Sequence, residues 1–134
     1  MIVIDCSALV HALTDVSERG DSARRRIATN DLIAPTLLDY EIASALFGMA
    51  RGTRGGVPKL SQDALDEALA TYQALPIRHF DAPPFWPRVR ELSANMSAYD
   101  AAYVALAEGL DLPLVTADAR IARAGVARTS IEVI

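Results

Sequence analysis

The chain alternates between short apolar stretches and longer segments with hydrophobic residues at spacings of three and four. Five short stretches are typical of strands, and they cover residues 2–4, 32–34, 77–80, 112–116 and 131–134. The first is a continuous apolar run, as expected for a strand buried on both faces. The longer segments between them predict amphipathic helices. This alternation predicts an α/β fold with a mostly parallel five-stranded sheet and helices on both faces.

Polar residues at the starts of the helical segments are predicted to cap them. The candidate caps are Ser7, Thr36, Ser61 and Ser97. In the helix that follows Thr36 and runs to about Arg51, the stripe facing the core is predicted at Leu38, Ile42, Ala45 and Met49. In a later helix the residues predicted to face inward are Trp86, Val89 and Leu92.

Length and composition restrict the class of protein. At 134 residues, 51% of them hydrophobic, residues 1–134 are expected to form one domain with its own core. There is no apolar run of eighteen residues and no signal-peptide pattern, so we expect a cytoplasmic protein that does not interact with membranes. Cys6 is the only cysteine, which excludes an intramolecular disulfide and a thiolate metal cluster.

Four acidic residues occupy positions where a charge needs an explanation. Asp5 and Asp118 follow the first and fourth predicted strands, and the carboxyl ends of neighbouring parallel strands form a binding crevice. Glu41 lies on an apolar helix, and neither Glu41 nor Asp118 has a basic residue three or four positions away. Asp100 stands in the first turn of another apolar helix. The alternative interpretations are that Glu41 is a surface glutamate at a helix edge and that Asp100 is a helix-start aspartate favoured by the helix dipole.

Carboxylates gathered in one crevice raise each other's pKa, and a divalent cation resolves that conflict. A set of oxygen ligands without histidine or cysteine suits Mg²⁺ or Mn²⁺ and disfavours zinc. Ser7 and Thr116 supply hydroxyl groups that can orient a carboxylate. Such sites serve phosphoryl-transfer chemistry, in which the cation activates water. The glycine-rich motifs of nucleotide-binding enzymes and the serine-hydrolase motif are absent.

The charge of the chain neither supports nor excludes a nucleic-acid partner. The formal net charge is −4, but of the 13 basic residues only Lys59 is a lysine, and arginine is the better bidentate phosphate ligand. The candidate RNA contacts are Arg24, Arg25, Arg51, Arg54 and Lys59. The alternative interpretations are that Arg24 and Arg25 lie on a solvated helix face and that residues 51–60 form a plain connection between two helices.

Four segments of the chain, IVIDCSALV, LLDYEIASAL, SAYDAAYVALAE and LPLVTADARIARA, together resemble the PIN-domain ribonucleases, and among them the VapC toxins of bacterial toxin–antitoxin pairs. The resemblance implies a three-layer α/β/α fold and Mg²⁺- or Mn²⁺-dependent endoribonuclease activity. It also implies a homodimer inhibited by a small VapB-like antitoxin that binds close to the active site. Carried over by position, the metal ligands are Asp5, Glu41, Asp100 and Asp118, and Thr116 is their supporting hydroxyl.

Two other classes of protein remain to be weighed against this reading. A phosphatase of the haloacid-dehalogenase pattern needs a second aspartate where Ser7 stands, and a receiver domain needs a late lysine, whereas the only lysine is Lys59. A non-catalytic PIN-like module that binds RNA or protein is the second alternative. The full set of four acids counts against that module, because a domain without catalysis has no need of them.

Overall fold

The computed structural model describes residues 1–52 and 56–134, so Arg54, one of the predicted RNA contacts, lies outside the described residues. In chain order the elements are β1 (Ile2–Ile4), α1 (Cys6–Thr14), α2 (Glu18–Ala28), β2 (Leu32–Pro35), α3 (Leu37–Arg51), α4 (Gln62–Ala74), β3 (Ile77–Phe80), a 3₁₀ turn (Pro83–Phe85), α5 (Trp86–Leu92), α6 (Ala98–Leu110), β4 (Leu114–Thr116), α7 (Ala119–Arg123) and β5 (Ile131–Val133). The predicted strand–helix alternation is confirmed.

The five strands form one sheet in the order β3-β2-β1-β4-β5, and every pair is parallel. The chain builds outward from β1 to β3 on one side and then crosses to β4 and β5 on the other. The order therefore reverses between β1 and β4, whose register pairs Val3 with Leu114 and Ile4 with Val115. This arrangement makes the carboxyl ends of β1 and β4 neighbours at the switch point of the sheet.

Two groups of helices pack on this sheet. One comprises α1 with α2, α3 and α4, and the other comprises α6 with α5. All three residues of β1 and of β4 are buried, as continuous apolar strands of a parallel sheet require. Within the described ranges, none of the helices is long and apolar enough to cross a membrane.

The core stripe of α3 differs from the predicted one. Its buried residues are Leu38, Ile42, Leu46 and Ala50, whereas Ala45 and Met49 are only half-buried. Leu46 offers more apolar surface than Ala45, so burying Leu46 gains more free energy. This rotation of the helix leaves Glu41 and Ala45 on its flank, where both line a cleft.

Of the four predicted caps, Ser61 and Ser97 are confirmed, Thr36 occupies the cap position without the capping bond, and Ser7 is wrong. The hydroxyls of Ser61 and Ser97 accept hydrogen bonds from the third residue of their helices, as predicted. Thr36 has helical backbone angles and its side chain makes no capping bond. Ser7 lies inside α1, and Asp5 is the cap instead, because its carboxylate accepts from the Ala8 amide at 2.9 Å.

Trp86 does not face inward, since 60% of its side chain is exposed. The preceding 3₁₀ turn places Phe85 against the core instead. Farther along α5, Val89 is half-buried as predicted and Leu92 is fully buried. At the proline-rich entry to the helix, Phe85 therefore takes the inward position predicted for Trp86, while Val89 and Leu92 keep theirs.

Gly20 and Gly48 form a matched pair for testing the packing of α2 against the end of α1. A methyl group on Gly20 would lie 1.8 Å from the backbone oxygen of Asp15, whereas one on Gly48 in α3 meets nothing within 4 Å. Gly20→Ala should therefore lower the free energy of unfolding by about 1–3 kcal/mol through overpacking. Gly48→Ala should raise it by about 0.5–1 kcal/mol through helix propensity. Urea denaturation measures both, and a Gly20→Ala variant as stable as the parent would contradict the packing described.

Candidate active site

Asp5 follows β1 directly and is almost completely buried, with 6% of the residue exposed. Its Oδ1 accepts hydrogen bonds from the Ser7 hydroxyl at 2.7 Å and from the Ala8 amide at 2.9 Å. Its Oδ2 accepts from the Thr116 hydroxyl at 2.6 Å. Three donors on two neighbouring segments therefore fix the carboxylate in one orientation.

The two hydroxyls that hold Asp5 also hold the loop after β4. Thr116, the last residue of β4, accepts a hydrogen bond from the Asp118 amide at 2.9 Å. The Ser7 hydroxyl accepts from the Ala117 amide at 2.9 Å, and the two hydroxyl oxygens lie 3.2 Å apart. The start of α1 and the turn that carries Asp118 are thus tied together across the β1–β4 boundary.

Glu41 reaches the same region from α3, and its partner comes from α6. The Tyr103 hydroxyl donates to Glu41 Oε2 at 2.5 Å, and Tyr103 itself is buried. Asp100 lies one helical turn before Tyr103, where its backbone amide donates to the Ser97 cap. The sequence reading missed Tyr103, because a contact 62 positions away has no local signal.

Asp118 caps α7 and has a basic partner that the sequence reading missed. Its Oδ1 accepts from the Arg120 amide at 2.9 Å, and both of its oxygens accept from the Arg120 guanidinium at 2.6–3.0 Å. The sequence predicts no cation near Asp118, because that prediction considers only positions three and four away. Arg120 lies two positions away, and because Asp118 caps α7 its carboxylate reaches the side chain of Arg120 in the first turn.

All four predicted carboxylates line one open cleft of about 360 Å³; they are Asp5, Glu41, Asp100 and Asp118. Ser7 lines it as well, and Thr116 lies beneath it. The cleft opens at the carboxyl ends of β1 and β4, where the topology predicts a ligand site. Among the described residues, no three acidic, histidine or cysteine side chains already form a group close enough to hold a metal ion.

Burial and mutual repulsion make negative charge costly in this cleft. Burial raises the pKa of Asp5, its three hydrogen bonds oppose the shift, and the charge of Asp100 adds to it. Burial likewise raises the pKa of Glu41, where the Tyr103 hydrogen bond opposes and the charges of Asp5 and Asp100 add. The pKa of Asp118 is lowered, chiefly by its bond to Arg120. A cation bound between these groups would relieve the repulsion.

Cys6 and His11 also line the cleft but differ from the carboxylates in their chemistry. Burial, together with the charges of Glu41 and Asp5, raises the pKa of the Cys6 thiol to about 12, so it stays protonated at neutral pH. His11 bonds through Nδ1 to Asp15 at 2.7 Å. The ionised ligands that the cleft offers near neutral pH are therefore oxygens, which fit a hard cation.

The predicted RNA-contacting cations that the structure describes are not among the residues lining the acidic cleft; they are Arg24, Arg25, Arg51 and Lys59. Arg24 donates to the backbone oxygens of Ala12 and Asp15 and to the Asp21 carboxylate, so it fastens α2 to the end of α1. Arg25 and Arg51 are exposed, and Lys59 lines a separate groove beside α3. Arg120 reaches the edge of the acidic cleft through its bond to Asp118.

Replacing Asp5 by asparagine should stabilise the metal-free protein at neutral pH. Because the pKa of Asp5 is raised on folding, the native state holds a proton that the unfolded chain releases near pH 3.9. Stability from this group is therefore present at low pH and lost as the pH rises through the folded pKa. Asp5→Asn in EDTA should raise the Tm at pH 7 by roughly 2–8 °C, and the gain should shrink toward pH 4.

Thermal unfolding followed by circular dichroism at several pH values measures this effect. Asp66→Asn is the matched control, because Asp66 is exposed on α4, and it should change the Tm little at any pH. A loss of stability in Asp5→Asn at pH 7, or an equal gain at pH 4 and pH 7, would contradict the assignment of a costly buried charge.

Comparison with known proteins agrees with this geometry. Residues 2–127 match the family model of the PIN domain. Ribonuclease VapC9 of Mycobacterium tuberculosis is 40% identical over 134 residues, which is 100% of this chain and 98% of the relative.

Among solved structures, the sarcin-ricin loop cleaving toxin VapC20 of Mycobacterium tuberculosis superimposes with a TM-score of 0.67 at 16% identity, covering 93% of this chain and 95% of that one. VapBC2 from Rickettsia felis, bound to a DNA fragment from their promoter, gives a TM-score of 0.62 at 14% identity and 98% coverage of both chains. At these identities the two structures support the fold alone, whereas the family model and the sequence relative show that the chain belongs to the PIN-domain family, among the VapC ribonucleases.

Proposed function

We propose that this VapC ribonuclease cleaves RNA with a divalent cation, Mg²⁺ or Mn²⁺, held by four carboxylates. The proposed ligands are Asp5, Glu41, Asp100 and Asp118. The observation that carries the proposal is that these side chains, which come from four separate elements, line one cleft at the switch point of the sheet. PIN ribonucleases are generally metal-dependent, and the oxygen donors of this cleft fit a hard cation.

The chain's own residues prepare the cleft for this role. Ser7 and Thr116 fix the Asp5 carboxylate, and Tyr103 fixes Glu41. Asp118 is paired with Arg120, so its share in binding a cation requires the guanidinium to leave it. A bound Mg²⁺ or Mn²⁺ supplies an activated water and stabilises the charge that develops on the phosphate.

Attack of water on an RNA phosphodiester, with the 3′ oxygen as the leaving group, gives 5′-phosphate and 3′-hydroxyl ends. Asp5 is the most rigidly held of the four carboxylates and serves as the fixed point of the site. No histidine of the chain is needed as general base, because a cation held by these carboxylates would supply the activation of water.

The proposed partners follow from the family. The structures of VapBC2 from Rickettsia felis and of FitAcB from Neisseria gonorrhoeae resemble this chain with TM-scores of 0.62 and 0.63. We infer that a VapB-like antitoxin inhibits this chain and that residues 1–134 form one domain that assembles as a homodimer in the cytoplasm.

Cleavage of total cellular RNA by the purified protein tests the activity and the site together. With Mg²⁺ or Mn²⁺ the parent should give discrete fragments with 5′-phosphate ends, and EDTA should abolish them. Asp5→Ala and Asp100→Ala should each lower the rate by more than about 100-fold, because even residues that only support metal ligands contribute 10- to 100-fold.

Asp66→Asn controls for the loss of an acidic residue outside the cleft, and circular dichroism must show that each variant is folded. Wild-type cleavage by folded Asp5→Ala would contradict the site. The absence of cleavage by the folded parent, freed of any antitoxin, would favour a non-catalytic PIN-like module that binds RNA or protein.

Tyr103→Phe should weaken metal binding without unfolding the protein. The substitution removes only the hydroxyl that holds Glu41, so Phe keeps the buried ring packed. The Mn²⁺ concentration that half-saturates cleavage should rise by about 10- to 100-fold. Tyr72→Phe is a matched control, because the Tyr72 hydroxyl donates to Asp39, which lies outside the cleft. Equal Mn²⁺ requirements in the two variants would contradict a positioning role for Tyr103.

A further inference from the structure

A second cleft of about 470 Å³ adjoins the acidic cleft. The two clefts share Glu41 and Asp100, so any molecule bound across these residues enters both. The other polar residues of the second cleft are Asn95, Ser97, Tyr99 and Arg120. The reaction proposed above uses the acids at the boundary and leaves this neighbouring space without a role.

Tyr99 and Asn95 give the second cleft groups suited to a nucleobase. Tyr99 lies in the first turn of α6, and the residue is 63% exposed, so its ring is available for stacking. Asn95 is exposed in the segment between α5 and α6, and its amide offers both hydrogen-bond donors and an acceptor. Ser97 differs from both, because its hydroxyl is occupied in capping α6.

Arg120 lies at the boundary between the clefts. It lines the second cleft, while its guanidinium bonds to Asp118 of the first, and 80% of its side chain is exposed. If Asp118 shares its charge with a cation, the guanidinium loses its only described carboxylate partner. A phosphate is the anion that fits the planar fork of arginine best.

We propose that the second cleft binds the nucleotide adjoining the scissile phosphate of single-stranded RNA. The base stacks on Tyr99, its edge bonds to Asn95, and the neighbouring phosphate binds Arg120. Single-stranded RNA is the fitting substrate, since only an unstacked base can lie against an aromatic side chain. This inference rests on the proposed function, because it takes the acidic cleft as the place of cleavage.

Binding of the four ribonucleoside 5′-monophosphates, followed by the backbone amide signals in nuclear magnetic resonance, tests the cleft without any cleavage. With Mg²⁺ present, the shifts should concentrate in residues 95–100 and at Arg120, and the affinities should differ among the four bases. Tyr99→Ala should weaken binding by about 5- to 100-fold, the range for the loss of one base–aromatic stack. Asn95→Ala should make the four affinities more alike, and Arg120→Ala should weaken all four equally.

Matched controls are available on other surfaces. Tyr40 is 77% exposed on α3 and Arg90 is exposed on α5, and neither lines the two clefts. Tyr40→Ala and Arg90→Ala should leave nucleotide binding unchanged. Shifts that map elsewhere, or nucleotide binding that Tyr99→Ala does not weaken, would overturn the proposal. So would a finding that the variants of the second cleft lose affinity for an antitoxin and keep their affinity for the nucleotides.

Mapping the fragment ends from total RNA separates this inference from the proposed function. If both hold, cleavage requires metal, and Asn95→Ala relaxes the base preference at one position beside the cut. Metal-dependent cleavage with the same base preference and rate in Asn95→Ala, Tyr99→Ala and the parent would contradict nucleotide binding in the second cleft. It would at the same time support the proposed nuclease activity. Base-selective nucleotide binding by a folded parent that cleaves nothing would overturn the nuclease and, with it, the place of the bound nucleotide beside a scissile phosphate.

Discussion

The structure depends on a buried carboxylate that joins two neighbouring strands. Asp5 caps α1 through the Ala8 amide and receives the Thr116 hydroxyl from β4, so one anion fixes a helix start and a strand end. Burial raises the free energy of its charged form, and three hydrogen bonds offset only part of that cost. A group that contributed only to folding would be better replaced by a neutral one. A carboxylate at this position fits the chemistry proposed for the cleft.

The other three acids of the cleft are held by different contacts. Glu41 and Asp100 are rigidly placed, whereas Asp118 can be released from its partner. The buried hydroxyl of Tyr103 holds Glu41, and Tyr103 belongs to the same rigid helix as Asp100. Asp118 has an exposed partner on its own short helix, and an exposed ion pair contributes little free energy. The pairing of Asp118 with Arg120 is therefore the contact of the cleft that a cation or a phosphate displaces at least cost.

Much of the fold could be predicted from the sequence, because its central strands are short apolar runs with few alternatives. The positions of Asp5 and Asp118 followed from the same pattern, since both residues come shortly after the end of a strand. Tertiary packing decided what the sequence left open. Asp5 and Ser7 were both able to cap α1, and the position of Thr116 favoured Asp5. In α3 it is Leu46 that faces the core and not Ala45, because Leu46 buries a larger apolar area. The bond between Glu41 and Tyr103 joins residues 62 positions apart and lies beyond any local pattern.

The net charge of the chain gives little information on its partner, whereas the placement of single charges does. At a net charge of −4 the protein as a whole repels RNA, and four acidic side chains line one cleft. The divalent cation proposed for that cleft would reverse the sign of the field at that point. It would also free the guanidinium of Arg120, which lies where the two clefts meet. Attraction of a phosphate would then be strongest at the cation-loaded cleft. An acidic protein can in this way attract a polyanion chiefly at one place, and that place is where cleavage is proposed.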